Sequence, residues 1–193
     1  MPLVTRARGG IRPQDCVIFY DSGGELTERA FSSVLDHLDT KADVQAVVMD
    51  PNDMSIAGGI FSAPPVRPYR NSIPTAFDKL GSCNARLRSC LVVTKLDALL
   101  NNPLLPTPFR DQCNAHMRMI QTNPLASNEV DRELITGWLD HGNDQERQLS
   151  HYLRGMDIQV FTAWTENAGV VQAGYIPKAF GVTRFIEWCV RRD

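Results

Sequence analysis

An α/β fold built on a doubly wound, mostly parallel sheet is what this sequence predicts, and three observations predict it. Four short segments, 16–20, 44–50, 90–94 and 158–163, are nearly continuous in apolar character, which is how a strand covered on both faces reads. Stretches with helical periodicity alternate with them, at 26–38, 75–80, 109–120, 127–139 and 145–153. The balance of 43% hydrophobic and 22% charged residues over 193 positions is that of an ordinary globular chain, long enough for one domain with a sizeable core and too short for two. We therefore read 1–193 as a single domain.

Taken in order, the first strand (16–20) runs into Asp21-Ser22-Gly23-Gly24-Glu25 and then the helix at 26–38. The second (44–50) ends in Asp50-Pro51-Asn52-Asp53, where Asp50 either braces the start of the loop or touches a ligand. Five prolines and the pair Gly58-Gly59 between 51 and 74 can continue neither helix nor strand, which predicts a long loop. After the helix at 75–80 comes the third strand (90–94), ending in Thr94-Lys95-Leu96-Asp97, and a second loop at 101–108 leads to the helix at 109–120. Ser127-Asn128-Glu129 has the residue types that start a helix, and Gly155 is expected to close the helix at 145–153 in the left-handed conformation. The last strand (158–163) ends in Thr162-Ala163-Trp164.

Composition excludes several classes. A net charge of −2 points to no polyanionic partner, so nucleic acid is not expected. The apolar runs are too short to cross a bilayer and residues 1–10 lack a signal-peptide core, which predicts a cytoplasmic protein with no membrane association. Five scattered cysteines without CxxC spacing read as small hydrophobes rather than a zinc site. His37, His116, His141 and His151 lack ligand spacing and are expected to be solvated or packed. Trp138, Trp164 and Trp188 are expected to pack on the sheet, with Trp164 also a candidate lining for a base pocket.

In an open parallel sheet, ligands bind beyond the carboxyl ends of the strands, so the residues there are the ones that carry chemistry. Asp21-x-x-Gly24 and Thr94-Lys95-x-Asp97, in this order and each directly after an apolar strand, resemble two motifs of the P-loop GTPases, the second in its Thr variant of Asn-Lys-x-Asp. The Tyr20-Asp21-x-x-Gly24-Glu25 turn, the Asp50-Pro51 after the second strand and Trp138-Leu139 before the last strand look most like bacterial domains of the translation-factor-related (TRAFAC) class, the double-GTPase type in particular. That resemblance implies a three-layer P-loop NTPase-like fold, with helices on both faces of the sheet, and GTP or GDP with Mg²⁺ as cofactors. Asp21 would hold magnesium through a water, and the Gly24 amide would meet the terminal phosphate, a contact that suits a residue without a side chain. Asp97 would accept from the N1 and N2 donors of guanine, a pair that adenine lacks. The stem of Lys95 would lie over the purine while its ammonium approaches ribose or phosphate oxygens, and Thr94 would tie the loop to the phosphate loop. Thr162-Ala163 resembles the family's last motif, Ser-Ala-x, whose backbone amide meets the guanine oxygen. Glu25 stands where many GTPases keep the residue that orients the attacking water, and a helix N-terminus also favours a glutamate without catalytic purpose.

The Gly-x-x-x-x-Gly-Lys-Ser/Thr phosphate loop does not occur in the sequence. The expectation is thus an N-terminally incomplete GTPase-like domain without the P-loop strand, inactive by itself as a GTP hydrolase, whose gap would be filled by a missing N-terminal segment or a protein partner. Residues 1–13, with Thr5 as a candidate sensor of the terminal phosphate, read as a flexible or switch-like N-terminal segment. The competing expectation is a degenerate GTPase-like interaction module that docks a protein, through the loop at 62–74 and the helices from 109 to 153, without nucleotide turnover.

Overall fold

The computed structural model describes residues 44–58, 88–166 and 178–190. The expected elements at 16–20, 26–38 and 75–80, and with them Asp21, Gly24 and Glu25, lie outside the described residues.

Three strands, β1 (Val44–Met49), β2 (Arg88–Val93) and β3 (Ile158–Thr162), form a parallel sheet in the order β1-β2-β3. Val44 pairs with Arg88 and Met49 with Val93, while Ser89 pairs with Ile158 and Val93 with Thr162, so the three strands finish at the same level. A short antiparallel pair, β4 (Trp164–Thr165) with β5 (Ala179–Phe180), continues from the end of β3. Among the described residues five α-helices accompany the sheet: α1 (Leu96–Leu100), α2 (Thr107–Thr122), α3 (Glu129–Asp140), α4 (Asp144–Gly155) and α5 (Val182–Val190).

Alternation along the strands divides the core in two. Met49, Leu91, Val93, Ile158 and Val160 face α1 to α4, where they meet Leu96, Leu99, Cys113, Ile120, Ile135, Trp138, Leu149 and Leu153. Cys90, Val92 and Phe161 face the other way, against Phe185 and Trp188 of α5. β2 is hydrogen-bonded on both edges and packed on both faces, and Cys90, Leu91 and Val93 are fully buried. The described part of the molecule is thus an α/β structure, a parallel sheet with helices on each side.

The strand assignments agree with the sequence to within a residue at the carboxyl ends, but β2 begins two residues earlier than the apolar run. Arg88 opens it because its guanidinium has partners there: it donates to the carbonyls of Trp188 (2.9 Å) and Cys189 (2.8 Å) at the end of α5 and stands over the Trp188 ring. The expected loop after β1 starts with two 3-10 turns, Pro51–Asp53 and Ser55–Ala57, and Met54, Ile56 and Ala57 sink into the core rather than lying in solvent. Between the third strand and the expected loop at 101–108 the chain forms α1.

At the start of α3, Ser127 does cap, its Oγ accepting from the Glu129 amide at 3.3 Å, whereas the Asn128 side chain turns to Gln159 of β3. α4 begins one residue before the expected start, behind a reciprocal cap. Asn143 Oδ1 accepts from the Glu146 amide at 3.0 Å, and Glu146 Oε2 from the Asn143 amide at 2.8 Å. The other Glu146 oxygen accepts from the Ser55 amide at 2.7 Å, fastening the loop after β1 to α4. Gly155 does not end α4 in the left-handed conformation. It is the last helical residue and Met156, extended at φ −118°, stops the helix; among the described glycines positive φ occurs at Gly58 and Gly181. α5 has no counterpart among the sequence-based expectations, although Phe185 and Trp188 at a spacing of three carry its apolar stripe. Among the described residues no helix is long and apolar enough to cross a membrane.

Candidate functional site at the carboxyl rim of the sheet

The ends of the three parallel strands are tied side by side. The Thr94 amide donates to the Met49 carbonyl at 3.0 Å, and the Ala163 amide to the Val93 carbonyl at 2.8 Å. Asp50, Thr94-Lys95-x-Asp97 and Thr162-Ala163-Trp164 therefore emerge on one rim.

At the centre of that rim the chain reverses at Lys95, which adopts φ 62° and ψ 36°, the only positive φ at a non-glycine among the described residues. An L-residue in this region carries a strain of about 1 kcal/mol, which the surroundings must outweigh. What outweighs it is Leu96, which the reversal drops into the core with no exposed surface, and Leu99 one turn further. Lys95 itself points outward, its side chain 63% exposed, with Nζ 2.9 Å from Asp50 Oδ2.

Asp50 caps the turn after β1. Its Oδ1 accepts from the Asn52 amide at 3.0 Å and from Asn52 Nδ2 at 3.2 Å. Partial burial pushes the Asp50 carboxyl up, but hydrogen bonds from Lys95 and Asn52 outweigh it and hold it below its ordinary value, while the same contact pushes the Lys95 ammonium up. Of the two roles that the sequence leaves open for Asp50, bracing the loop or touching a ligand, the structure shows the brace.

Asp97 lies in the first turn of α1, half-buried. Its backbone carbonyl accepts from Asn101 Nδ2 at 3.2 Å, and its carboxylate makes no hydrogen bond to a described residue. It lies close enough to Cys113 of α2 to add to the effect of burial on that thiol, which is pushed up to about 12.

The end of β3 is arranged differently from the expectation. Thr162 is fully buried and its hydroxyl donates to Asp131 Oδ1 of α3. His116 Nε2 of α2 lies 2.9 Å from the same hydroxyl and 3.0 Å from Asp131 Oδ1, so a proton on Nε2 finds two acceptors. Arg184 of α5 completes the cluster, with Nη1 2.7 Å from Asp131 Oδ2 and Nη2 3.1 Å from Oδ1. The Thr162 hydroxyl thus faces inward, and the Ala163 amide is spent on Val93. Trp164 is 3% exposed and stacks on Phe180 with centroids 5.5 Å apart, a packing position.

The structure accordingly brings Thr94, Lys95 and Asp97 together with Asp50 at the rim, and it separates from them the polar groups of Thr162 and Ala163. No pattern in the sequence signals the cluster around Asp131, whose partners lie 15 to 53 residues from it along the chain. Of its four side chains, only Thr162 stands out by its place at a strand end. The chain matches no family model, no curated protein and no solved structure.

Proposed function

We propose that the chain is a guanine-nucleotide-binding domain of the P-loop GTPase type, with the base received by the loop Thr94 to Asp97. The observation that carries the proposal is the place of this loop. It leaves the carboxyl end of the central strand of a parallel sheet, turns sharply at Lys95 and presents an Asp97 carboxylate with no hydrogen bond to a described residue. A carboxylate there accepts from two adjacent donors on one edge of guanine and finds a single donor and a lone pair on adenine. The Lys95 stem covers the ring face. Thr162 and Ala163 take no part in the base contact in this arrangement, because their hydrogen-bonding groups are engaged within the protein. By the resemblance, Asp21 would hold magnesium through a water and the Gly24 amide would meet the terminal phosphate, with Glu25 at the place of the residue that orients water; all three lie outside the described residues, and the sequence carries no phosphate loop to complete a hydrolytic site.

Titration calorimetry with GDP, ADP and xanthosine diphosphate tests the reading. Loss of a hydrogen bond to a charged group is worth about 1.5–3 kcal/mol, so GDP is expected to bind at least about tenfold more tightly than ADP. Asp97→Asn exchanges an acceptor for a donor and is expected to move the preference from GDP to xanthosine diphosphate, which carries an oxygen where guanine carries its amino group. Equal binding of GDP and ADP, or no response to Asp97→Asn, overturns the proposal. A second reading, a docking module without nucleotide turnover, draws support from the pairing of Lys95 with Asp50 and of the Ala163 amide with Val93. It predicts that partner binding survives Asp97→Ala and that GDP gives no heat.

A further inference from the structure

A GTPase-type base loop would send the Lys95 ammonium to ribose or phosphate oxygens. In the structure it goes to Asp50, 2.9 Å away. That carboxylate is held from behind. Its Oδ1 accepts twice from Asn52, the Asn52 side-chain oxygen accepts from Asn102 Nδ2 at 3.1 Å, and Asn102 also donates to the Ala57 carbonyl at 3.0 Å. A row of amides from the loops after β1 and α1 thus backs Asp50 and leaves Oδ2 to Lys95. The other end of Lys95 is equally fixed, by its left-handed backbone and by buried Leu96 next to it. Its four-carbon stem therefore bridges the ends of β2 and β1, and its charge is neutralised at the far end.

Resting on the guanine reading, we propose that Asp50 is a specificity-determining residue of this site, which makes it select the guanine base and nucleoside and not the polyphosphate chain. A phosphate approaching Lys95 must either displace Asp50 or sit beside it, and a like charge at that distance opposes it. A purine meets no such opposition. It finds an apolar stem already ordered, with little conformational freedom left to lose on binding. The Asp50–Lys95 pair is half-exposed, so it opens when a stronger competitor is supplied, and removing the Asp50 charge is enough to release Lys95.

The experiment is a calorimetric titration of the full chain with guanosine, GMP and GDP, with adenosine as control, for the parent and for Asp50→Asn. The asparagine keeps an oxygen for the Asn52 amide and so preserves the cap. The parent is expected to bind guanosine, GMP and GDP with affinities within about threefold of one another, whereas Asp50→Asn tightens GDP by about fivefold and leaves guanosine unchanged. Lys95→Met, which removes the charge, is expected to abolish the response of GDP to Asp50→Asn. GDP binding to the parent more than about tenfold tighter than guanosine overturns the inference, as does an unchanged ratio in Asp50→Asn, and either leaves the guanine reading standing. A folded parent, checked by circular dichroism, that binds none of the guanine compounds overturns both.

Discussion

At Lys95 two local preferences conflict, and a long-range contact decides between them. A left-handed lysine is strained, yet the position is fixed by a buried leucine on one side and a carboxylate from another strand on the other. The pair is open to solvent, so its worth is small, about 0–1 kcal/mol near neutral pH. Its pH dependence has a definite sign. The Asp50 carboxyl is depressed below 3.8, so its contribution is present above that value and is lost as the pH falls through the folded-state value. The Lys95 ammonium is raised above 10.5, so its contribution is present below that value and is lost on the alkaline side. Urea unfolding of the parent and Asp50→Asn is expected to give a gap of up to about 1 kcal/mol between these limits, closing beyond either one. A gap independent of pH would mean that the ion pair does not carry the effect.

Glycine at two positions separates what a helix prefers from what tertiary packing demands. In α3, an added Cβ at Gly137 meets nothing within 4 Å, so helix propensity alone governs the site. Gly181, between β5 and α5, has φ 78°, and a Cβ there would come within 1.9 Å of the Thr162 carbonyl oxygen. No flexible side chain is available to yield. Gly137→Ala is expected to stabilise the protein by about 0.5–1 kcal/mol, and Gly181→Ala to destabilise it by more than about 2 kcal/mol, as read from the urea midpoint. Gly181 is where the chain turns from β5 into α5, and through α5 it sets the cover over Cys90, Val92 and Phe161. The rings of Phe185 and Trp188 lie 5.8 and 5.5 Å from that of Phe161. If Gly181→Ala proves neutral, the close approach of this turn to the end of β3 is not a constraint on the fold.

Across the whole molecule the two sides of the sheet are joined by buried charge as well as by the strands. Asp131 of α3 is fully buried and is compensated by Arg184 of α5, His116 of α2 and Thr162 of β3. Removing the cation alone strands a carboxylate in the core, at a cost of about 3–5 kcal/mol. Arg184→Met is therefore expected to lower the unfolding free energy by about that much, and Asp131→Asn in the same background to restore a part of it. Loss from the single variant with no recovery in the double would assign the effect to the arginine's packing instead of its charge. Local pattern by itself makes much of the architecture legible. The run Ile158 to Thr162 is apolar because both of its faces are covered, whereas Val44 to Met49 is apolar although Val48 is 61% exposed, and the periodicity of 109–120 and 145–153 comes from helices with one face on the core. The rim residues Thr94, Lys95 and Asp97 are legible for a related reason, since their place at a strand's end is fixed by the strand itself. The partners of side chains are not. Which carboxylate Lys95 meets, that Thr162 faces inward, and that Arg184 answers Asp131 depend on segments dozens of residues apart coming into register, and no local periodicity records such a pairing.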